Sequence, residues 1–384
     1  MWKTISSKGI YLFFFVVVAC GFARPTGEAA LPTAKVALSQ PLTIRWRYGS
    51  HLTVDLTPAY DGDRIYLPLA GGTLVSLQAK DGQLNWLAEM GGELSASPVA
   101  DDRGVYVASE IEEETGKLEA GVRRATGTVR VVGREGGVTL WMRTLAGPLR
   151  GALTISGNIL LAAGGDGRVY AFDRVTGEIE WSVYSGGSFN CWPVVSAGLV
   201  YVGNEDGSLL VLEETTGKIL WRYRTKGPVR GPVAVVNGAV YFGSGDGYVY
   251  AVNSANRRLL WRKRTGAAVQ AVAHVEDALL VASLDNFVYR FSLNGARVWK
   301  RQLPGRIASQ PLTATDGALF TPLASLAGVV LGLRDGRQIN SLPTGEEITR
   351  SASPIAIGDA VLLTTEHGLL AFAQPRVSQE SVSR

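Results

Sequence analysis

"DGRVYAFDRVTGEIEW", residues Asp166–Trp181, contains a complete local rhythm. An Asp-Gly turn opens an alternating apolar strand, a Thr-Gly turn closes it, and a second short strand ends on tryptophan. Period-two alternation between glycine turns specifies antiparallel hairpins rather than helix. The rhythm returns forty residues later as "DGSLLVLEETTGKILW" (Asp206–Trp221), then as "DGYVYAVNSANRRLLW" (Asp246–Trp261), where Ala255-Asn256 stands in for the Thr-Gly turn. Self-similarity at a fixed period decides architecture before any single residue does.

Tryptophans stand at 46, 86, 141, 181, 221, 261 and 299, with separations of 40, 55, 40, 40, 40 and 38. An eighth rung falls on Asn340. Between rungs each unit reads alike. A strand after a proline or small residue ("WPVVSAG", "GPVAVVNG") is followed by an apolar strand ("LVYVG", "AVYFG"), a third strand after the tight turn, and the tryptophan strand. Four strands per unit of about 40 residues is a β-propeller blade. Eight triplets of inner strands follow Trp46, but the last ends near Ala373 without an outer strand, and a spare strand, "LTIRWRY", surrounds Trp46. The expected fold is therefore all-β: an eight-bladed propeller of four-stranded antiparallel blades over residues 41–374. The N-terminal strand joins the last blade, which removes open sheet edges, and 375–384 form a tail.

Composition excludes several functions. The net charge of +4 over 384 residues reads as mild and evenly spread, which points away from nucleic acid. Cys20 and Cys191 are the only cysteines, so neither a disulfide framework nor a thiolate metal site is expected. His51, His274 and His367 lie too far apart in sequence to suggest a histidine-based metal centre. Lys3 and Lys8 precede the apolar run "IYLFFFVVVAC" (Ile10–Cys20), too short for a bilayer span and suited to an export signal over 1–20. Its end, Val17-Val18-Ala19-Cys20, resembles a bacterial lipobox. That resemblance implies a lipidated Cys20 and, with no acidic residue after it, transfer to the outer membrane. Ordinary cleavage near Gly21-Phe22-Ala23 is the alternative. Residues 21–40, rich in Ala, Pro and Thr, read as a flexible tether.

The unit "DGxxYAxxxxTGxxxW" resembles the repeat of the PQQ-type propeller superfamily, over 41–374. One branch comprises quinoprotein dehydrogenases, which use pyrroloquinoline quinone and Ca²⁺. Many of them carry an adjacent cysteine pair, and this chain has none. The other is the BamB family of propeller lipoproteins in the outer-membrane β-barrel assembly machinery, with similar length, eight blades and no cofactor. Resemblance to that family implies a non-enzymatic scaffold, a monomer within a complex. It would sit in the periplasm, anchored to the outer membrane through Cys20. Its partner would be a barrel-assembly protein or an unfolded outer-membrane protein, not nucleic acid. In that family a Leu-Arg-Gly loop helps contact the barrel-forming partner, which implies the same for Leu149, Arg150 and Gly151 in "GPLRGAL". Where the family has aspartates in the next blade's loop, this chain has Phe189, Asn190 and Cys191, and "GPVRGPV" repeats the Arg-Gly pair at Arg230 and Gly231. A quinone-binding oxidoreductase, or a vestigial relative of one, is the alternative; a periplasmic binding or sensor propeller is a third.

Nine residues after each tryptophan stand Asp55, Ser95, Arg150, Asn190, Arg230, Gln270 and Ala308, with Arg350 close to register in the last unit. Leading into the innermost strands, they should crowd one mouth of the central channel. Three converging arginines would make an anion- or carboxylate-binding rim there; a solvated funnel lining is the alternative. Trp192, off the ladder, is the tryptophan to test for surface recognition, against a packing role. The ladder tryptophans should fill the gaps between blades, each indole N–H finding a buried acceptor. Asp166, Asp206 and Asp246 read as turn residues, since an Asp-Gly pair tolerates positive φ at both places of a two-residue hairpin turn, and not as metal ligands. The insertion Glu110–Gly127, acidic first and basic afterwards, should overhang the same mouth, as a charged hairpin or a tolerated surface loop.

Overall fold

The computed structural model describes residues 35–113 and 124–375, and all regular secondary structure among them is strand. The strands form eight sheets, numbered here as blades in chain order. Blades 1 to 7 span residues 59–89, 93–145, 154–184, 194–224, 234–264, 269–302 and 312–343. Blade 8 combines Ile355–Ile357, Ala360–Thr365 and Gly368–Ala373 with the N-terminal strand Thr43–Gly49. The segments read as signal peptide with Cys20, the tip of the insertion (114–123) and most of the tail lie outside the described residues.

Burial explains the two strand patterns. In blade 4 the inner strands Leu199–Gly203 and Ser208–Glu213 are covered on both faces, so they are almost wholly apolar. The outer strand Ile219–Arg224 buries only Trp221 fully and alternates with exposed residues. Closure follows the sequence: Thr43–Gly49 runs antiparallel to Gly368–Ala373, from Thr43 opposite Ala373 to Gly49 opposite Gly368, with a bulge between Ile44 and Trp46.

Two features depart from the reading. Blade 2 gains a fifth, two-residue strand, Gly151–Ala152, which pairs parallel with Ala96 and Ser97. The supposed tether is already packed at its end: Val36 and Leu38 are buried in the cluster containing Leu312, Leu319 and Leu342. Leu38 and Ser39 donate their N–H groups to the Asp316 carboxylate at 3.1 and 2.7 Å. The cause is the eighth rung. Asn340 leaves the space of an indole unfilled, and its amide nitrogen donates to the carbonyls of Leu38 (2.9 Å) and Gln40 (2.7 Å), so the chain itself fills the gap.

The tryptophans act as expected. Each of six indoles donates to a backbone carbonyl of the following blade, from Trp86 to Arg134 at 2.6 Å to Trp46 to Ala79 at 3.2 Å. A glycine of that next blade lies flat against the ring. At Gly217 (φ +70°) a Cβ would stand 2.4 Å from Trp181. In the variant repeat this position falls on Arg257, not on the Ala255-Asn256 pair, and Arg257 adopts φ 63°. A left-handed conformation costs an L residue about 1–2 kcal/mol, partly offset by the entropy glycine loses on folding. Arg257→Gly is therefore expected to raise the melting temperature by about 1–2 °C in a protein of this size; an unchanged or lower value in a thermal scan would refute the strain.

The Asp-Gly pairs form turns, with one left-handed residue each. Gly167, Gly207 and Gly247 each have φ 80°, but the preceding aspartates have negative φ. One left-handed residue per turn suffices because the aspartate carboxylate completes the loop. Asp246 accepts from the Tyr248 N–H (3.1 Å), the Tyr250 hydroxyl (2.6 Å) and the Lys226 N–H (3.0 Å). Burial and that carboxylate push the Tyr250 phenol above its usual range.

Candidate functional site

The mouth of the ring is built by alternation. Eight residues after the rung, Val54, Leu149, Val229 and Ile307 are fully buried, and Phe189 nearly so. With a two-residue period in an extended loop, the ninth position must then face the channel. A cavity of about 390 Å³ is lined by Asp55, Asn190, Trp192, Arg230, Gln270 and Ala308. Arg150 lines an adjoining cavity of about 530 Å³, together with Asn190, Glu205 and Arg230. Ser95 is the exception: it is buried, and its hydroxyl has no partner among the described residues.

The three arginines do not form a free cationic rim. Arg230 is held bidentate by Glu205 at 2.8 and 2.6 Å, and Arg350 by Asp55 at 2.9 and 3.1 Å. Arg150 binds Glu110. Each guanidinium therefore meets its own carboxylate, and the three pairs together are neutral. These bonds raise the pKa values of Arg230 and Arg350 above the ordinary arginine range, so both stay charged. Bidentate pairs also fix the side chains in place. These paired side chains present oriented polar groups in place of free cations, which suits a peptide or protein surface better than a simple anion.

The triplet "LRG" divides by role. Leu149 lies within the core shared by blades 2 and 3, so it has no surface to offer. Gly151 (φ +80°) forms bridges to Ala96 and Cys191, and a Cβ there would stand 1.9 Å from the Cys191 carbonyl oxygen. Gly231 is confined in the same way, with its Cβ position 2.2 Å from the Gln270 oxygen. The recurrent Arg-Gly pair is thus explained on its glycine side by close backbone packing. Only Arg150 of the three presents a side chain to the mouth.

In the next blade the same alternation buries Phe189 and Cys191 and exposes Asn190. Burial pushes the Cys191 thiol above its usual range, which removes it as a nucleophile. Trp192 is partly exposed and lies where the polar mouth meets an apolar cavity of about 380 Å³ lined by Pro58, Pro98, Pro311 and Pro354. The insertion forms a paired stem, Glu113 opposite Arg124, and Glu110 of that stem holds Arg150.

Sequence reasoning missed Glu110 and Glu205 as partners. The signal was a carboxylate at the same place in two repeats, 24 residues after Trp86 and after Trp181, in the blade that precedes the arginine; its distance from the arginine only the fold supplies. Among the described residues no three His, Cys, Asp or Glu side chains converge as a metal site.

Comparisons with known proteins agree with this architecture. The chain is 30% identical over 126 residues to an outer membrane protein assembly factor BamB of Burkholderia pseudomallei (strain K96243), covering 33% of this chain and 29% of that relative, so the match spans under a third of the relative's length. The crystal structure of BamB from Moraxella catarrhalis superimposes with a TM-score of 0.69 at 18% identity, over 89% of this chain and all of that one. A europium-containing methanol dehydrogenase superimposes with a TM-score of 0.73 at 12% identity, over 91% of this chain and 98% of its own. At such identities the structural likenesses establish the propeller alone. The family model described as outer membrane protein assembly factor BamB matches residues 35–120, 125–230 and 211–383, nearly the whole folded body, and the chain belongs to that family.

Proposed function

We propose that this protein is a non-enzymatic scaffold in outer-membrane β-barrel protein assembly, exported and tethered by a lipidated Cys20. Its channel mouth would bind a barrel-assembly protein or an unfolded outer-membrane protein. The observation that carries the reading is the match of an assembly-factor family model along nearly the whole folded body. The mouth supports it, because its ion pairs hold polar side chains rigidly around Trp192, as protein recognition requires. The quinone-dependent alternative finds less support. Asp55, the carboxylate lining the 390 Å³ cavity, is engaged by Arg350, and no metal-ligand cluster stands beside it among the described residues.

Charge reversal at Arg150 and Arg230 together is the test. Each new carboxylate would face Glu110 or Glu205, breaking both pairs while leaving the buried neighbours Leu149 and Val229 in place. Capture of barrel-assembly proteins from solubilised membranes is expected to fall at least about tenfold, with the circular dichroism spectrum and melting curve close to the parent. Undiminished capture would remove the mouth as the contact. Dye-linked alcohol oxidation after addition of quinone and Ca²⁺ would remove the scaffold reading altogether.

A further inference from the structure

The charge of this chain is far from evenly spread. Residues 218–301 contain fourteen Lys or Arg against four acids, Asp246, Glu276, Asp277 and Asp285. The rest of the chain must then carry −6 for the whole to reach +4. Folding concentrates this excess further, because it falls largely on the outer strands of three neighbouring blades. Arg222 and Arg224 lie on blade 4, Arg262, Lys263 and Arg264 on blade 5, and Arg301 on blade 6, all exposed at the perimeter. The outer strands of blades 1, 3 and 7 carry no basic residue; Arg143 on blade 2 and Arg45 on blade 8 are paired with Glu178 and Asp359, each at 2.6 Å, which leaves Arg47 of blade 8 as a single exposed cation apart from the group.

The local acids do not neutralise these cations. Glu276 and Asp277 bind Arg290, at 3.1 and 3.2 Å. Asp246 and Asp285 are occupied by backbone N–H groups and tyrosine hydroxyls of their own turns. Among the described residues none of the six exposed cations has a carboxylate partner; Arg301 donates only to the carbonyls of Lys300, Asp335 and Gly336. Strand register places the group on one side of the ring: Arg224 lies opposite Ser208 and Arg264 opposite Tyr248, next to the Asp-Gly turns. Exposed aliphatic side chains stand among them, Leu259 at 43%, Leu260 at 51% and Val298 at 51%.

We propose that the perimeter of blades 4 to 6 is a docking face for an anionic phospholipid bilayer. Uncompensated cations at a surface are drawn to acidic headgroups, each contributing roughly fivefold in affinity, and the exposed leucines can enter the headgroup boundary. Single-stranded nucleic acid, the other phosphate-rich partner, binds through open aromatic platforms. Here the aromatic rings are already covered, Tyr248 by the Arg262 guanidinium at 4.9 Å and Phe287 by the Lys300 ammonium at 3.5 Å. The face is separate from the channel mouth and does not require acylation of Cys20.

The test is flotation of the purified full chain with neutral phosphatidylcholine vesicles and with vesicles containing 30% phosphatidylglycerol. An apolar N-terminal anchor would bind both alike, so the anionic increment is the quantity to read. Binding to the anionic vesicles is expected to be at least about tenfold tighter in 50 mM NaCl, with the difference gone in 500 mM NaCl. The triple variant Arg222→Glu, Lys263→Glu, Arg264→Glu should lose the increment while keeping its melting temperature. The Gln versions of the same three, which avoid introducing like-charge repulsion, should lose most of it. Equal flotation on both vesicles, or retention of the increment by the Gln variant, overturns the proposal. So does tighter binding to an oligonucleotide than to anionic vesicles at equal phosphate concentration.

Discussion

Replacing Trp46 by alanine is expected to open the ring. The Trp46 side chain is 8% exposed and packs in the cluster that joins blade 8 to blade 1, with Ile65, Leu77, Leu362 and Ala371, and its N–H donates to the Ala79 carbonyl at 3.2 Å. Truncating a buried tryptophan to alanine costs about 3–5 kcal/mol. Trp46 differs from its counterparts in its place in the chain. Its strand is held to blade 8 by side-to-side pairing with residues more than 300 positions later in the sequence, with no hairpin turn to keep it near. Losing it leaves the apolar strand Gly368–Ala373 as an open edge, a template for aggregation. The expected result is a melting transition lowered by roughly 5–10 °C, concentration-dependent aggregation and new protease cleavage near residue 40. Trp141→Ala, a similar loss inside a continuous hairpin, should lower the melting temperature comparably without the new cleavage. A Trp46→Ala protein as protease-resistant as the parent would show that closure does not depend on this strand.

Gly151→Ala should have an effect of similar size for a different reason. A methyl group there would stand 1.9 Å from the Cys191 oxygen and 2.7 Å from its nitrogen, at φ +80°. Both obstacles are backbone, so no rotamer change can relieve the clash; the two loops, which lead into blades 3 and 4, must separate at the mouth. Backbone strain and displacement together are expected to cost about 3 kcal/mol or more. Arg150 would also move from Glu110, so partner capture should fall with stability. Gly91, also left-handed (φ +66°) but with nothing within 4 Å of a Cβ, should lose only about 1–2 kcal/mol on change to alanine. A Gly151→Ala protein no less stable than Gly91→Ala would show that the contact between the two loops can yield.

The channel face was legible in part. A nine-residue offset from a periodic tryptophan identified Asp55, Asn190, Arg230 and Gln270 as channel-facing, because in extended chain the offset alone fixes which side a residue faces. The same arithmetic failed for Ser95, where blade 2 has a continuous strand, Glu93–Ala100, in place of a loop. The resemblance to a family motif could not separate Leu149 from Arg150, since it treats three residues as one unit while the pleat assigns them opposite faces.

The sequence by itself determined the eight blades, the closing strand and the interblade tryptophans, because the blades and tryptophans follow from the period and the count of strands leaves the last triplet one unpaired partner, the strand around Trp46. Only the tertiary structure decided which charges meet. Glu205 lies 25 residues from Arg230, and Asp55 lies 295 residues from Arg350; ring closure alone brings the second pair together. Those contacts turned an expected rim of free arginines into neutral ion pairs. They left the unpaired positive charge on the perimeter of blades 4 to 6, where the outer strands have no carboxylate within reach.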